Sequence, residues 1–263
     1  MPLSSFLRGA CSSWLRSPSL ELVIGNEAAD ADSCVSALTY GHLLHARRRA
    51  GGGAHVLPVI SCSRGDLWLR REAVHMLELC LAPPSEPACG LADLVCLDEL
   101  LAQLPFLKAL AAAGELAITL VDHNELTGAL AEAGLGSCVR EIVDHHADTG
   151  AHAHVAGSQR QVSFDPVLRK GVGSACTLVA EALFAEDAQR TAAVTAAGEK
   201  AGGCEEPQME RLVSPAVARL LLSVILLDTS CLSAHAAKAT PQDHAMAAAL
   251  HEVAGGASAL CLE

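Results

Sequence analysis

Aromatic side chains are scarce: four Phe, two Trp and one Tyr make up 3% of the 263 residues. So few rings offer little for stacking a nucleobase. The hydrophobic half of the chain is dominated by Ala and Leu, which suits helices packed on a sheet better than an all-β sandwich. Positive charge is also short. Eighteen Lys and Arg against 30 Asp and Glu leave a formal net charge of -12, which argues against a nucleic-acid groove or an anionic membrane surface as partner. A small polyanion remains compatible, because a bound divalent ion reverses the local field. Long apolar runs are missing too: "LLLSVILL" at 220–227 is the longest, far below the roughly 20 residues that span a bilayer. The cysteines are many but unpaired in pattern. Eleven are dispersed without a CxxC, and Cys89 and Cys96 are too loosely spaced for a zinc knuckle. Reduced thiols in an intracellular, cytoplasmic setting are expected, although Arg8, Arg16 and several Ser near the N-terminus leave an organellar address open.

What is present is an alternation of short apolar runs and helical patterns. "ELVIG" (21–25), "HVLPVI" (55–60), "LAITLV" (116–121) and "VREIV" (139–143) read as buried parallel strands, with a weaker one in "DLVCL" (93–97). Helices are predicted over 33–49, 66–81 and 98–113 between them, and over 173–185, 214–228 and 241–254 in the second half. The fold class is therefore α/β, a parallel sheet of about five strands flanked by helices, with right-handed crossovers. Residues 1–19 read as a helical arm, 20–254 as one domain, 186–208 as a flexible insertion, and 255–263 as a tail.

Acidic residues and histidines recur at the ends of these runs. Asn26, Asp30 and Asp32 follow the first strand. Asp122-His123-Asn124 follows "LAITLV", Asp144-His145-His146 follows "VREIV", and Asp228 closes "LLLSVILL". One Asp after a strand is ordinarily a helix N-cap, and an Asp-x-Asp loop is ordinarily solvated. Repetition at four ends, two of them Asp-His pairs, is what those readings leave unexplained. Ligands of open α/β sheets gather at the carboxyl ends of the strands, so the clusters are expected to meet on one rim. Carboxylates with imidazole and no thiolate suit Mg²⁺, Mn²⁺ or Fe²⁺ better than structural zinc. So many acids exceed the needs of one ion, and a shared Asp bridging two ions is expected.

At these residues the sequence resembles the DHH phosphoesterase superfamily. "GNEAADADS", "VDHNEL", "VDHHAD", "GVGSACTLVAE" and "KATPQD" occur in order from about residue 20 to 250 and are similar to the exopolyphosphatase/prune branch, with family II pyrophosphatases more distant. The resemblance implies two divalent ions, Mg²⁺ or Mn²⁺. Asp30 would bind one, Asp32 the other, with Asp122 and Asp228 between them and His145 completing the second site. His146 would face substrate phosphate. Asn26 takes the place of a metal-binding His of the pyrophosphatases and, with Lys238 and Ser174, falls on the substrate side. Ser174 opens a helix after Gly171 and Gly173, where free N–H groups hold an anion or merely cap a turn. Lys238 neutralises substrate or is simply exposed. Arg70 matches a recurrent family arginine or makes a surface ion pair. Thr240, Pro241 and Asp243 read as a helix start.

The implied activity is exopolyphosphatase-like hydrolysis of terminal phosphoanhydride bonds. Cyclic-nucleotide or pyrophosphate hydrolysis are alternatives with the same chemistry, and a regulatory scaffold acting through protein partners is the alternative of another class. Relatives carry a DHH-associated second domain after the metal domain. Only about 20 residues follow "KATPQD" here, so the expectation is either a fragment or divergent short form, or a lid supplied in trans by another polypeptide or protein partner.

Overall fold

A computed structural model describes residues 1–49, 53–81, 89–201 and 210–256. In chain order the elements are α1 (Leu3–Ser13), β1 (Leu20–Ile24), α2 (Ala31–Arg49), β2 (His55–Ile60), α3 (Arg71–Leu81), β3 (Val95–Cys96), α4 (Leu97–Leu101), α5 (Leu104–Ala113), β4 (Leu116–Val121), α6 (Gly128–Glu132), β5 (Val139–Asp144), β6 (Arg160–Val162), β7 (Phe164–Asp165), β8 (Lys170–Gly171), α7 (Ala175–Ala201), α8 (Pro215–Asp228) and α9 (Pro241–Ala254). Six strands form a parallel sheet in the order β3-β2-β1-β4-β5-β6, and β7 and β8 make a separate antiparallel pair. The continuous apolar run of β1 is buried along its whole length, as a strand flanked by strands and covered by helices must be. The chain builds outward from β1 to β2 and β3, then returns to build β4, β5 and β6 on the other side. That reversal opens a crevice beyond the carboxyl ends of β1 and β4.

Helix α2 sits at the centre, packed on β1 and β2 and against α7 and α8. Every residue from Ala31 to Leu44 is buried, so its polar side chains need internal partners. Four of them are met by hydroxyl bonds: Ser33 Oγ donates to Asn26 O, Ser36 Oγ to Asp32 Oδ1, Thr39 Oγ1 to Val35 O, and Tyr40 OH to Glu141 Oε1. Glu21, buried inside β1, receives a two-pronged contact from Arg48.

Several sequence expectations change in detail. The expected five strands are six, because the short edge strand β6 carries little periodicity. β3 is only two residues long. The helix predicted over 66–81 breaks at Arg70, whose φ of -93° and ψ of 61° are not helical. The one over 98–113 divides ahead of Pro105, which occupies the first turn of α5, since proline is tolerated there and not in a helix interior. Residues 186–201, read as part of a flexible insertion, extend α7. Their Ala, Glu, Gln, Arg and Lys are good helix formers; residues 202–208 of that stretch lie outside the described residues. The N-terminal arm buries Leu3, Phe6, Leu7 and Ala10 against α2 and β2, so α1 belongs to the core. Of the 255–263 tail only Gly255 and Gly256 are described. Nine cysteines are described and all are free. Among the described residues no helix is long and apolar enough to cross a membrane.

The turn leaving β1 is tight. A Cβ on Gly25 would lie 2.0 Å from Ser33 Oγ and 2.7 Å from Ser33 O. Gly25→Ala is expected to destabilise the fold by about 1–3 kcal/mol, the usual cost of overpacking, read as a lower urea midpoint with an unchanged m-value. An unaltered midpoint would show that the start of α2 yields freely.

Candidate metal centre

The turn from β1 into α2 carries the first cluster. Asp30 acts as a helix cap, its Oδ1 accepting from the Ser33 N–H at 3.0 Å, while the residue also lines the cleft. Asp32 lies in the first turn of α2 and is only 5% exposed. Its carboxylate accepts from Ser174 Oγ (2.9 Å), Ala175 N (2.7 Å), Cys176 N (2.9 Å) and Ser36 Oγ (3.3 Å). The anion at the N-terminus of α7 is thus Asp32 itself, where the free N–H groups and the helix dipole favour negative charge. Ser174, expected on the substrate side, is fully buried with its hydroxyl on that carboxylate.

Asp122 follows β4 directly, with φ at 63°, a left-handed conformation that a non-glycine residue holds at a cost of order 1–3 kcal/mol. Its amide continues the ladder to Val143 O at 2.9 Å, and its side chain turns into the crevice. Asn26 Nδ2 donates to Asp122 Oδ2 at 2.6 Å, and Asn26 Oδ1 accepts from the Ala28 N–H. Both ends of that amide therefore engage protein groups, Asp122 and its own turn, while the residue lines the cleft.

The two histidines after β5 are held differently. His145 Nδ1 donates to Val172 O at 2.8 Å, which aims Nε2 at Asp122 Oδ1 (3.1 Å) and towards Asp32 Oδ2 (3.6 Å). Anchoring one ring nitrogen on a carbonyl to present the other is how metal-binding imidazoles are oriented. His146 Nδ1 pairs with Asp144 Oδ1 at 2.8 Å, and its side chain is 55% exposed. Asp144, fully buried, is steadied on its other oxygen by Asn124 Nδ2 at 2.6 Å.

Asp228 closes the ring. Asn26, Asp30, Asp32, Asp122, His145, His146, Asp228 and Lys238 line one open cleft, so the structure brings together every predicted site residue except Ser174, which sits behind Asp32. Burial first, then the charge of Asp32, push both the Asp122 and Asp228 carboxyls up. Burial alone would lower the His145 imidazole, but its bond to Asp122 and the Asp32 charge overcome this and raise it. Crowded carboxylates of this kind ask for a cation. Asp228 Oδ2 makes the same point, being a buried oxygen with no hydrogen-bond partner among the described residues. Ligand atoms of Asp122, His145 and His146 lie within 4.8 Å of one another. The donors are hard oxygens and imidazole, so the set fits a divalent ion.

Residues around this core gain roles that sequence did not assign. Asp144 and Asn124 fasten His146, though both flank the quoted Asp-His motifs, where the adjacency was the available signal. Lys170 Nζ spans to Ala237 O and Ala239 O, tying the β8 turn to the loop that bears Lys238. Lys238 is exposed on the cleft wall. Arg70 donates from Nε to Ala28 O at 2.6 Å, so it tethers the Asn26–Asp30 turn instead of decorating a helix surface.

The raised carboxyls carry a sign. Folding that raises an acid's pKa costs stability once pH passes the ordinary value, here 3.8, because the folded state then binds more protons than the unfolded one. The penalty grows as pH climbs towards the raised folded value. Asp228→Asn is therefore expected to raise the melting temperature of metal-free protein, and by more at pH 8 than at pH 5. Thermal scans at the two pH values check this; an equal or reversed difference would contradict the crowding.

The DHH family N-terminal domain model matches residues 22–221. The chain is 28% identical over 241 residues to human exopolyphosphatase PRUNE1, covering 92% of this chain and 43% of that protein. It is 31% identical over 182 residues to the Bos taurus exopolyphosphatase PRUNE1, covering 69% and 35%. Among solved structures it is similar to an exopolyphosphatase-related protein from Bacteroides fragilis at 14% identity and a TM-score of 0.47, covering 94% of this chain and 56% of that one. The chain thus spans well under half the length of these curated relatives. With the matched region taking in most of β1, the other strands, both Asp-His pairs and the first half of α8, the chain belongs to the DHH family.

Proposed function

We propose that the chain is a metal-dependent phosphohydrolase that cleaves terminal phosphoanhydride bonds of inorganic polyphosphate or its short-chain forms. The observation that carries this reading is the convergence of Asp30, Asp32, Asp122, Asp228 and His145 on one cleft, with a buried Asp228 oxygen unpartnered among the described residues. Asp30 and Asp32 would serve one Mg²⁺ or Mn²⁺ each, Asp122 and Asp228 would be shared, and His145 would complete the second site. Divalent ions held there would supply a nucleophile at neutral pH and charge to offset the phosphoryl oxygens.

The remaining work falls to side chains of this chain. His146, anchored at Nδ1 by Asp144, keeps Nε2 for a phosphoryl oxygen. That bond to Asp144 raises the His146 pKa, which favours a donor at neutral pH. Lys238 and Arg169 stand on the cleft wall as exposed cations and would meet the remaining phosphates of a chain. Names of relatives support the substrate class: exopolyphosphatases recur among them. A lid from another polypeptide, or from a further segment, belongs to the same reading.

Phosphate release from tripolyphosphate with Mg²⁺ or Mn²⁺ tests it. Asp32→Ala and Asp122→Ala are each expected to lower the rate by roughly 100-fold or more, since each removes a charge-stabilising group from the reacting centre. His146→Gln should lower kcat on the order of 100-fold, a larger loss than that in Mn²⁺ affinity measured by calorimetry. Wild type and aspartate variants releasing phosphate at equal rates would sink the proposal.

A further inference from the structure

Asp243 lies in the first turn of α9, away from the cleft lining, and is completely buried. A buried carboxylate needs donors, and this one takes them from three elements. Thr240 N and Thr240 Oγ1 each reach Oδ2 at 2.7 Å, Thr177 Oγ1 of α7 reaches Oδ1 at 2.6 Å, and Gly173 N approaches both oxygens at 3.1 and 2.9 Å. The Thr240 contacts are ordinary helix capping. The Gly173 contact is not, because Gly173 N–H and Val172 C=O belong to the same peptide group, and Val172 O is the acceptor for His145 Nδ1.

We propose that Asp243 is a positioning residue for His145, acting through that single peptide. The carboxylate fixes the plane of the Val172–Gly173 amide by holding its N–H, so the carbonyl at the opposite end is aimed at the imidazole. Hydrogen bonds in series polarise one another. Negative charge on Asp243 therefore strengthens Val172 O as an acceptor and firms the hold on His145 Nδ1. The arrangement resembles the carboxylate–histidine pairing that orients metal ligands, with an amide inserted between the two. It also accounts for Gly173: a Cβ there would lie 2.5 Å from Thr229 Cγ2 and 3.1 Å from Asp243 Oδ2, so any larger residue would wedge the peptide away from the carboxylate. The glycine serves close approach, and its N–H is engaged by protein.

This inference rests on the metal-centre reading for its consequence but not for its geometry, and two measurements keep them apart. Asp243→Asn retains shape but loses the charge and turns one acceptor oxygen into a donor. It is expected to weaken Mn²⁺ binding by roughly 10-fold or more, the usual scale for outer partners of a ligand, measured by calorimetry. Leu250→Ala, at a fully buried residue about two turns further along the same helix, should lower the melting temperature and leave Mn²⁺ affinity within about two-fold, well below that scale. In metal-free protein the His145 Nδ1 resonance, assigned by its loss in His145→Gln, should shift in Asp243→Asn and stay in place in Leu250→Ala. The relay is overturned if that resonance does not move, or if Leu250→Ala weakens Mn²⁺ as much as Asp243→Asn. A wild type that binds no Mn²⁺ would refute the metal reading, while the resonance would still decide the relay.

Discussion

The carboxylate of Asp32 fastens the two halves of the molecule together. It starts on α2, the central helix of the sheet half, and ends on the N-terminal amides of α7, the first helix of the second half. A buried carboxylate is tolerable only with several donors, and the unpaired N–H groups of a helix start are tolerable when buried only with an acceptor. Each solves the other's problem. The geometry also has a directional result: with its oxygens held from behind by Ser174, Ala175 and Cys176, Asp32 stands fixed at the crevice, where His145, Asp122 and Asp228 gather.

Rigidity of this kind recurs around the cleft. Asp122 is oriented by Asn26, His146 by Asp144, Asp144 by Asn124, and the turn before α2 by Arg70. Asp32, Asp122 and Asp144 are thus crowded by construction, since each has a second group that prevents it from swinging away. Cys176 lies beside them, its thiol raised well above its ordinary value by burial, so the nearest sulfur stays neutral and the donor set remains oxygen and imidazole.

Much of this was legible in sequence because the signals are local. Apolar runs such as "ELVIG" and "LAITLV" mark buried parallel strands, and acids placed just after them must emerge on the carboxyl rim whatever the details of packing. Thr240-Pro241-Gln242-Asp243 likewise announces a helix start. What escaped was set by distant partners. The partners of Ser174 and Asn26, which are Asp32 and Asp122, lie 142 and 96 residues away. Helix breaks at Arg70 and Gln103 and the run of α7 through 186–201 turned on the competition between propensity and packing, which a one-dimensional pattern resolves poorly. β6 owes its existence to pairing with β5 rather than to its own composition.

The lengths of the outermost strands have a bearing on how the molecule meets others. β3 offers two residues and β6 three at the two sides of the six-stranded sheet. Unpaired backbone on a long outer strand is a template for another chain to add to, and ladders this short give such an addition almost nothing to extend. Recruitment of a neighbour by continuing the sheet is accordingly disfavoured. Any stable companion would have to grip side chains, and must be recognised by shape and charge instead of by main-chain pairing.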